Sequence, residues 1–444
     1  MTVKDIYKRL VPLEARKWVA GHPWVERLRN RQLVRDGERL AAAARAARKP
    51  DGKIRVTFIV QRPALWCNHA SIYEAMKADP AFEVAVIAIP KRPPAAAELD
   101  LEEFGRLMEF LAGKGIAYSR GFDLDGQAWV NPLAFGLPDV VFLPQPYPFT
   151  QSGLYHGAYL RNFCDLAILN YGLAMANMPY MYYDMPIYAD CRYIFVESEA
   201  HRRLFVDRRP ELADRLFVTG HPKLDAYRGP VPADGGLWKS VHTRKRIIWA
   251  PHFTVTDDRT PHTFSNFFAY YGFFLECARR HPDVEWVLRP HPELFEHMVS
   301  AGVKTREEAR VYRDRFNALP NGQVYEGGDV MTLFRQSDAL ILDSISFLAE
   351  YAPTGNPICF LDSPRRQRLN PIGERLLHTY YVAWNEEEIR QFIEEVVLAG
   401  RDRRREERIE AVRRHLYMPP EGAGTAIAAI IRERLPRWQD REWT

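Results

Sequence analysis

A chain of 444 residues, 47% hydrophobic and 27% charged, is too long for one ordinary core and too apolar for wholesale disorder, so two or three folded domains are expected. Its five cysteines (Cys67, Cys164, Cys191, Cys277, Cys359) are scattered, odd in number and without metal-ligand spacing, which fits a reducing compartment better than a disulfide framework. No stretch approaches the roughly 18–20 uninterrupted apolar residues of a membrane-spanning helix, and the N-terminus lacks the basic-then-apolar plan of a signal peptide, so a cytoplasmic location is expected.

The net charge of +4 is unevenly placed: residues 1–53 carry 14 Lys/Arg against 6 Asp/Glu, which leaves the remainder slightly acidic. Residues 1–50 read as a basic helical arm in which Trp18, Val19, Trp24, Val25 and Leu28 alternate with Lys and Arg. Such an arm either packs on its own domain with a solvated basic face or lies on an anionic bilayer surface, a peripheral contact with the inner face of the membrane.

From Lys53 the pattern becomes strand–helix alternation, the mark of a mostly parallel sheet covered on both faces. The predicted order is strand 54–60, helix 72–76, strand 82–89, helix 101–114, and strands 140–143, 166–169 and 193–196. A Gly/Pro cluster between Tyr227 and Leu237 marks a domain boundary. Beyond it the plan repeats, with strands 246–250, 285–289, 324–325, 339–343 and 357–361 separated by helices 264–280, 306–319, 331–336 and 344–351. Helices 386–399 and 401–415 follow, and the basic run 401–405 reads as a solvated helix face, not a nucleic-acid site. The division expected is an arm (1–50), an N-terminal Rossmann-like acceptor domain (51–230), a C-terminal Rossmann-like nucleotide-donor domain (238–385) and C-terminal helices (386–444).

Open α/β sheets bind ligands at the carboxyl ends of their strands, so residues just past each strand are the candidates. Asp343, Ser344 and Ser346 sit where a buried strand runs into a helix whose free N–H groups and positive dipole end favour phosphate, and Glu350, on the same helix, can reach a ribose hydroxyl. The alternative is that Asp343 or Ser344 caps the helix. Arg289 can pair with phosphate bidentately, and His291 stands between Pro290 and Pro292. His252 and Thr254 follow the strand before. In the first unit, Trp66 can stack on a sugar and His69 can act as a base. Gln145, Tyr147 and His156 are placed for an acceptor, with packing as the alternative for each. Tyr180–Tyr188 reads as aromatic packing, and His221 and Asp225 as organisers of the crossover between units. Neither a Gly-rich phosphate loop after the first strand nor an Asp-x-Asp metal signature is evident, so catalysis without a metal and without a cofactor is expected.

Residues 247–253, 288–292, 329–350 and 219–225 resemble, in order and spacing, the successive blocks of the CDP-glycerol glycerophosphotransferase family, the teichoic-acid primases and polymerases. Asp343, Ser344 and Glu350 are also similar to the nucleotide-binding segment of UDP-sugar 2-epimerases and other GT-B proteins. The resemblance implies a GT-B fold, two facing Rossmann-like domains with the donor nucleotide in the C-terminal one. It implies transfer of glycerol- or ribitol-phosphate from a CDP-activated donor to a polymer or lipid-linked acceptor in bacterial surface-polymer or capsule synthesis. Where the family carries a His-Gly pair, proposed as its catalytic base, this chain reads Asn170-Tyr171-Gly172, which leaves Tyr171, His69 and His252 as candidates for the reacting end. A GT-B glycosyltransferase using an NDP- or CMP-sugar, a hydrolysing epimerase and a non-catalytic GT-B scaffold subunit are the alternatives.

Overall fold

The computed structural model describes residues 23–48, 51–92, 98–147, 152–233, 236–239, 244–255, 265–327, 329–364 and 366–435. Residues 1–22 and 49–50 of the predicted arm and the 438–444 tail lie outside these residues.

The first sheet contains β1 (Ile54–Val60), β2 (Phe82–Ala88), β3 (Ser119–Arg120), β6 (Val140–Phe142), β7 (Asp165–Leu169), β8 (Tyr193–Val196) and β9 (Leu216–Val218). A two-stranded hairpin of β4 (Phe122–Asp123) and β5 (Ala128–Trp129) stands apart. The sheet is parallel throughout, in the order β3-β2-β1-β6-β7-β8-β9. Its central strands are near-continuous apolar runs because a parallel sheet is buried on both faces. Phe58 on β1, Phe142 on β6 and Phe195 on β8 stack with centroids 4.8 and 6.1 Å apart. The second sheet repeats the order as β12-β11-β10-β13-β14-β15, with β10 (Lys245–Ala250), β11 (Val284–Leu288), β12 (Gly322–Val324), β13 (Ala339–Leu342), β14 (Ile358–Leu361) and β15 (Tyr381–Ala383). Trp249 anchors its core, stacked 4.2 Å from Phe274 and 5.5 Å from Phe267.

In both sheets the chain starts in the middle, builds outward to one edge and returns to build the other. The direction of winding reverses between β1 and β6 in one sheet and between β10 and β13 in the other, and such reversal points are where open α/β folds leave a crevice for ligands.

Several connections tie the units together. Residues 174–177 run antiparallel to 368–370, with Ala176 bridging Leu369 and Asn370 N–H donating to Met175 O at 2.8 Å. The 3-10 turn Pro222–Tyr227 and the segment before the last helix are clipped by Asp225, whose carboxylate accepts from Ala423 N–H and Gly424 N–H, each at 2.8 Å. The last helix, Ala423–Arg434, then packs on the first unit, not the second. Gly424 permits this, since a Cβ there would come within 2.4 Å of the Ser71 backbone. The stretch 386–444 is therefore divided: Ile389, Phe392 and Ile393 join the core of the second sheet, while Ile427 and Ile431 join that of the first.

The described side chains of the N-terminal helix Pro23–Ala47 pack on the first unit: Ala41 is fully buried, Gly37 lies against Tyr159 and Phe163, and Arg48 closes a 2.7 Å ion pair with Asp139.

Candidate functional site

The reversal point of the second sheet is organised by Asp343, the residue after β13. Its carboxylate is almost fully buried and accepts backbone N–H bonds from His252, at 2.6 Å, and Asn266, at 2.5 Å. Burial raises the Asp343 pKa to about 7, although the two amides act against the rise. Both oxygens are thus used to tie the loops after β10 and β13 together, so Asp343 holds the site in shape and is not itself a phosphate ligand.

His252 is placed by that tie. Its Nδ1 lies 3.0 Å from Thr254 Oγ1 and accepts Thr254 N–H at 3.3 Å, which assigns the remaining ring proton to Nε2. His291, after β11, is anchored by its own N–H to Pro251 O at 3.0 Å, and its Nδ1 accepts Glu293 N–H at 3.2 Å, so it too presents Nε2–H. The rings lie 5.2 Å apart, with Phe253 packed 4.5 Å from each. The His291 pKa is held well below the usual imidazole value, first by burial and then by the neighbouring His252 and the positive charges of Arg62, Arg289 and Lys91. At neutral pH His291 is an uncharged hydrogen-bond donor. The same tautomer in His252 makes it a donor also, which argues against the catalytic-base role the sequence suggested.

Arg289 is buried with Nη1 bonded to Pro290 O at 2.7 Å, while Nε has no partner. A buried donor left without an acceptor costs about 1–3 kcal/mol, and an anion in the crevice would satisfy it. The Tyr325 ring, 5.9 Å from the guanidinium carbon, flanks the other side. Ser344 caps the helix Ile345–Glu350 by position, with no side-chain cap bond. Ser346 lies on that helix, and its side chain falls outside the described residues.

Glu350 is fully buried. Its Oε1 accepts from Lys223 Nζ at 2.8 Å, across 127 residues of sequence and from one unit to the other, and its Oε2 has no partner. Burial opposes the Lys223 charge, but the neighbouring Glu350 carboxylate outweighs it and raises the ammonium above its usual pKa. Gly172 makes room here: a Cβ would stand 3.3 Å from Glu350 Oε1 and 3.8 Å from Lys223 Nζ. Sequence reasoning missed Lys223, although it stands inside the Gly220-His221-Pro222-Lys223-Leu224-Asp225 block; the ion pair shows only once the two units are brought together. His221 orders that block, bonding Asn170 O through Nε2 at 2.9 Å and Lys223 N–H through Nδ1 at 3.2 Å.

The first unit corrects several expectations. His69 is 1% exposed and lies among Phe58 and Phe142, with its pKa lowered to about 4 by burial and its Nδ1 unpartnered. At the N-cap position of the helix Ala70–Ala78, with its ring packed against the buried Phe58 and Phe142, this neutral histidine is closed off from the cleft. Trp66 is core as well, edge-on to Tyr73 at 5.3 Å and 4% exposed, and offers no stacking face. Gln145 donates to Gln61 Oε1 at 2.7 Å, closing the reversal point of the first sheet with a buried amide pair. His156 sits beside Asp190, at the end of the sheet where β8 begins, away from the carboxyl edge. Tyr171 does border the cleft, 36% exposed and 5.9 Å from the Tyr147 ring, but burial of its hydroxyl raises its pKa, with Lys223 partly offsetting this, so it is a neutral phenol and a poor base.

Among the described residues no group of His, Cys, Asp and Glu has the arrangement to hold a metal ion, and no helix is long and apolar enough to cross a membrane. No protein-family model and no curated protein sequence matches the chain. Solved structures do. The wall teichoic acid polymerase TagF superposes with a TM-score of 0.57 at 13% identity, over 94% of this chain and 98% of its own. The S. aureus MnaA–UDP complex gives 0.57 at 14% identity over 88% and 99%. A UDP-N-acetylglucosamine 2-epimerase from Listeria monocytogenes gives 0.56 at 16% over 88% and 98%. At such low identity the likeness speaks for the fold, and with the two parallel sheets it shows that this chain has the GT-B fold.

Proposed function

We propose that the chain is a transferase of bacterial cell-surface polymer synthesis. It takes a CDP-activated alditol and passes glycerol- or ribitol-phosphate to a hydroxyl of a polymer or lipid-linked acceptor. The observation that carries this reading is the convergence of His252 and His291, both presenting Nε2–H, with the unsatisfied Nε of Arg289, at the reversal point of the second sheet. Three donors around one crevice suit a diphosphate. Glu350, one turn beyond Ser344, offers its unpartnered Oε2 to a ribose hydroxyl. The sequence blocks shared with the CDP-glycerol family and the fold shared with TagF support the cytidine donor.

In this scheme the acceptor oxygen bonds to the distal phosphorus. The bond from that phosphorus to the CMP oxygen breaks with its electron pair on the departing CMP, and the acceptor proton leaves to solvent. Phosphoryl transfer passes through a loose transition state that asks mainly for positioning and charge stabilisation. That demand fits a cleft whose histidines are donors and whose tyrosine is neutral. A binding panel of CDP-glycerol, CDP-ribitol, CMP, UDP and UDP-N-acetylglucosamine, read by thermal shift, tests the donor: a ligand that binds only the folded state raises its apparent stability. Stabilisation by the cytidine nucleotides supports the reading, and stabilisation by the uridine compounds alone rejects it.

The Tyr171 substitution favours a second reading, a glycosyltransferase on the same fold that moves a sugar from an NDP- or CMP-sugar. A phosphodiester in the product excludes it.

A further inference from the structure

The second unit holds most of the donors proposed for the phosphates, yet the edges of the two units face each other, and the first contributes a cation. Lys91, just past β2, meets Glu293, just past β11, with 3.7 Å between Nζ and Oε1. Since β1 pairs with β2 in register to Val60–Ala88, and β10 with β11 to Trp249–Leu288, the end of β1 stands opposite the loops that carry His252 and His291. Arg62 is the second residue past β1. Its Nε donates to Glu103 Oε1 at 2.8 Å, and neither terminal nitrogen has a protein partner among the described residues. Glu103 is itself fixed in the first turn of the helix Leu101–Gly113, where its N–H is capped by Asp100 Oδ1 at 2.9 Å. The side chains of Arg62 and Glu103 are 21% and 14% exposed, so the pair is largely withdrawn from water but open on one side. The charge of Arg62 is felt at His291 and at Tyr171, the two residues that border the cleft from opposite units.

We infer that Arg62, aimed across the cleft by Glu103, supplies from the first unit the positive charge that stabilises the nucleotide phosphate as it departs. Glu103 is a positioning residue: it occupies the Nε and turns the two terminal nitrogens toward the second unit. The inference rests on the proposed transfer from a nucleotide donor. It adds that the second unit binds the nucleotide without Arg62, while turnover requires both units. Charge supplied only as the leaving group develops its own lowers the barrier without tightening the ground state.

The test uses the full chain with CDP-glycerol as donor and CMP as binding probe. R62A should lose about 10²-fold or more in kcat, the size of effect seen when one preorganised donor to a developing anion is removed. Its affinity for unreacted CDP-glycerol should stay within about threefold, its affinity for CMP, which carries the fully developed charge, should fall, and added guanidinium ion should restore part of the rate. R62K should recover less than the guanidinium geometry provides, and E103Q should lower kcat with KM nearly unchanged. Wild-type protein that binds neither CMP nor CDP-glycerol sinks the proposed function and this inference with it. R62A that turns over at the wild-type rate, or whose loss lies wholly in CDP-glycerol affinity, overturns the inference alone.

Discussion

The two sheets share a strand order, and their reversal points are furnished in opposite ways. In the first, Gln61 and Gln145 close the gap with a neutral amide pair while His69 and Trp66 turn inward to an aromatic core. In the second, a buried carboxylate collects backbone amides from two loops, beside two histidines whose Nδ1 atoms accept backbone N–H bonds and an arginine whose Nε has no partner. The first crevice is bridged by an amide pair, and the second keeps a buried guanidinium Nε without a partner. Topology alone marks both as possible sites; hydrogen-bond accounting separates them.

The largest expected effect is at the contact that joins the units. Lys223→Met leaves Glu350 charged, buried and alone, and breaking such a pair costs roughly 3–5 kcal/mol. The double variant Lys223→Met/Glu350→Gln should recover most of that stability in chemical denaturation. Equal losses for the single and double variants would mean the pair contributes nothing.

Asp343→Ala strands two backbone N–H groups, at about 1–3 kcal/mol each, and should destabilise the protein by a few kcal/mol while freeing the loops after β10 and β13. Gln145→Leu at the other reversal point removes the hydrogen bond to Gln61 Oε1 and should cost about 1–2 kcal/mol, without changing nucleotide binding. If Gln145→Leu abolished binding and Asp343→Ala did not, the assignment of the two crevices would be reversed.

A smaller effect tests the first crevice through pH. His69 has its pKa lowered from 6.5 to about 4 by burial, so the unfolded chain binds more protons between these values. The stability from keeping it neutral is fully present above about 6.5 and is lost as pH falls toward 4. His69→Phe removes that loss and suits the aromatic surroundings. Relative to the wild type, the variant should gain about 2 kcal/mol on going from pH 8 to pH 5. Asp343, with its raised pKa, contributes the opposite slope in the same range, so the comparison is made as a difference between the two proteins. A flat difference would mean that His69 titrates freely and is open to solvent.

Much of the frame was legible in the sequence. Ala339–Leu342 is an unbroken apolar run and Ile54–Val60 is interrupted only by Arg55 and Thr57, and parallel pairing buries such strands on both sides. The polar clusters at 251–254, 289–291 and 343–350 stood out because each follows such a run. Side-chain direction was not legible: His69 and Trp66 follow a strand just as His252 does, but the 3-10 turn Pro63–Asn68 rotates them inward. Long-range contacts were hidden as well. The return of Ala423–Arg434 to the first unit depends on Gly424 meeting Ser71, and the Lys223–Glu350 pair on Gly172 yielding space. Neither has a local signature.

The central claim is that the second sheet's reversal point holds the nucleotide phosphates. Calorimetric titration of CMP into the wild type and His291→Ala tests it most directly. The account predicts binding that weakens at least about tenfold, or 1.4 kcal/mol, in the variant, with thermal stability nearly unchanged in the absence of ligand. Equal CMP affinity in the two proteins would contradict it.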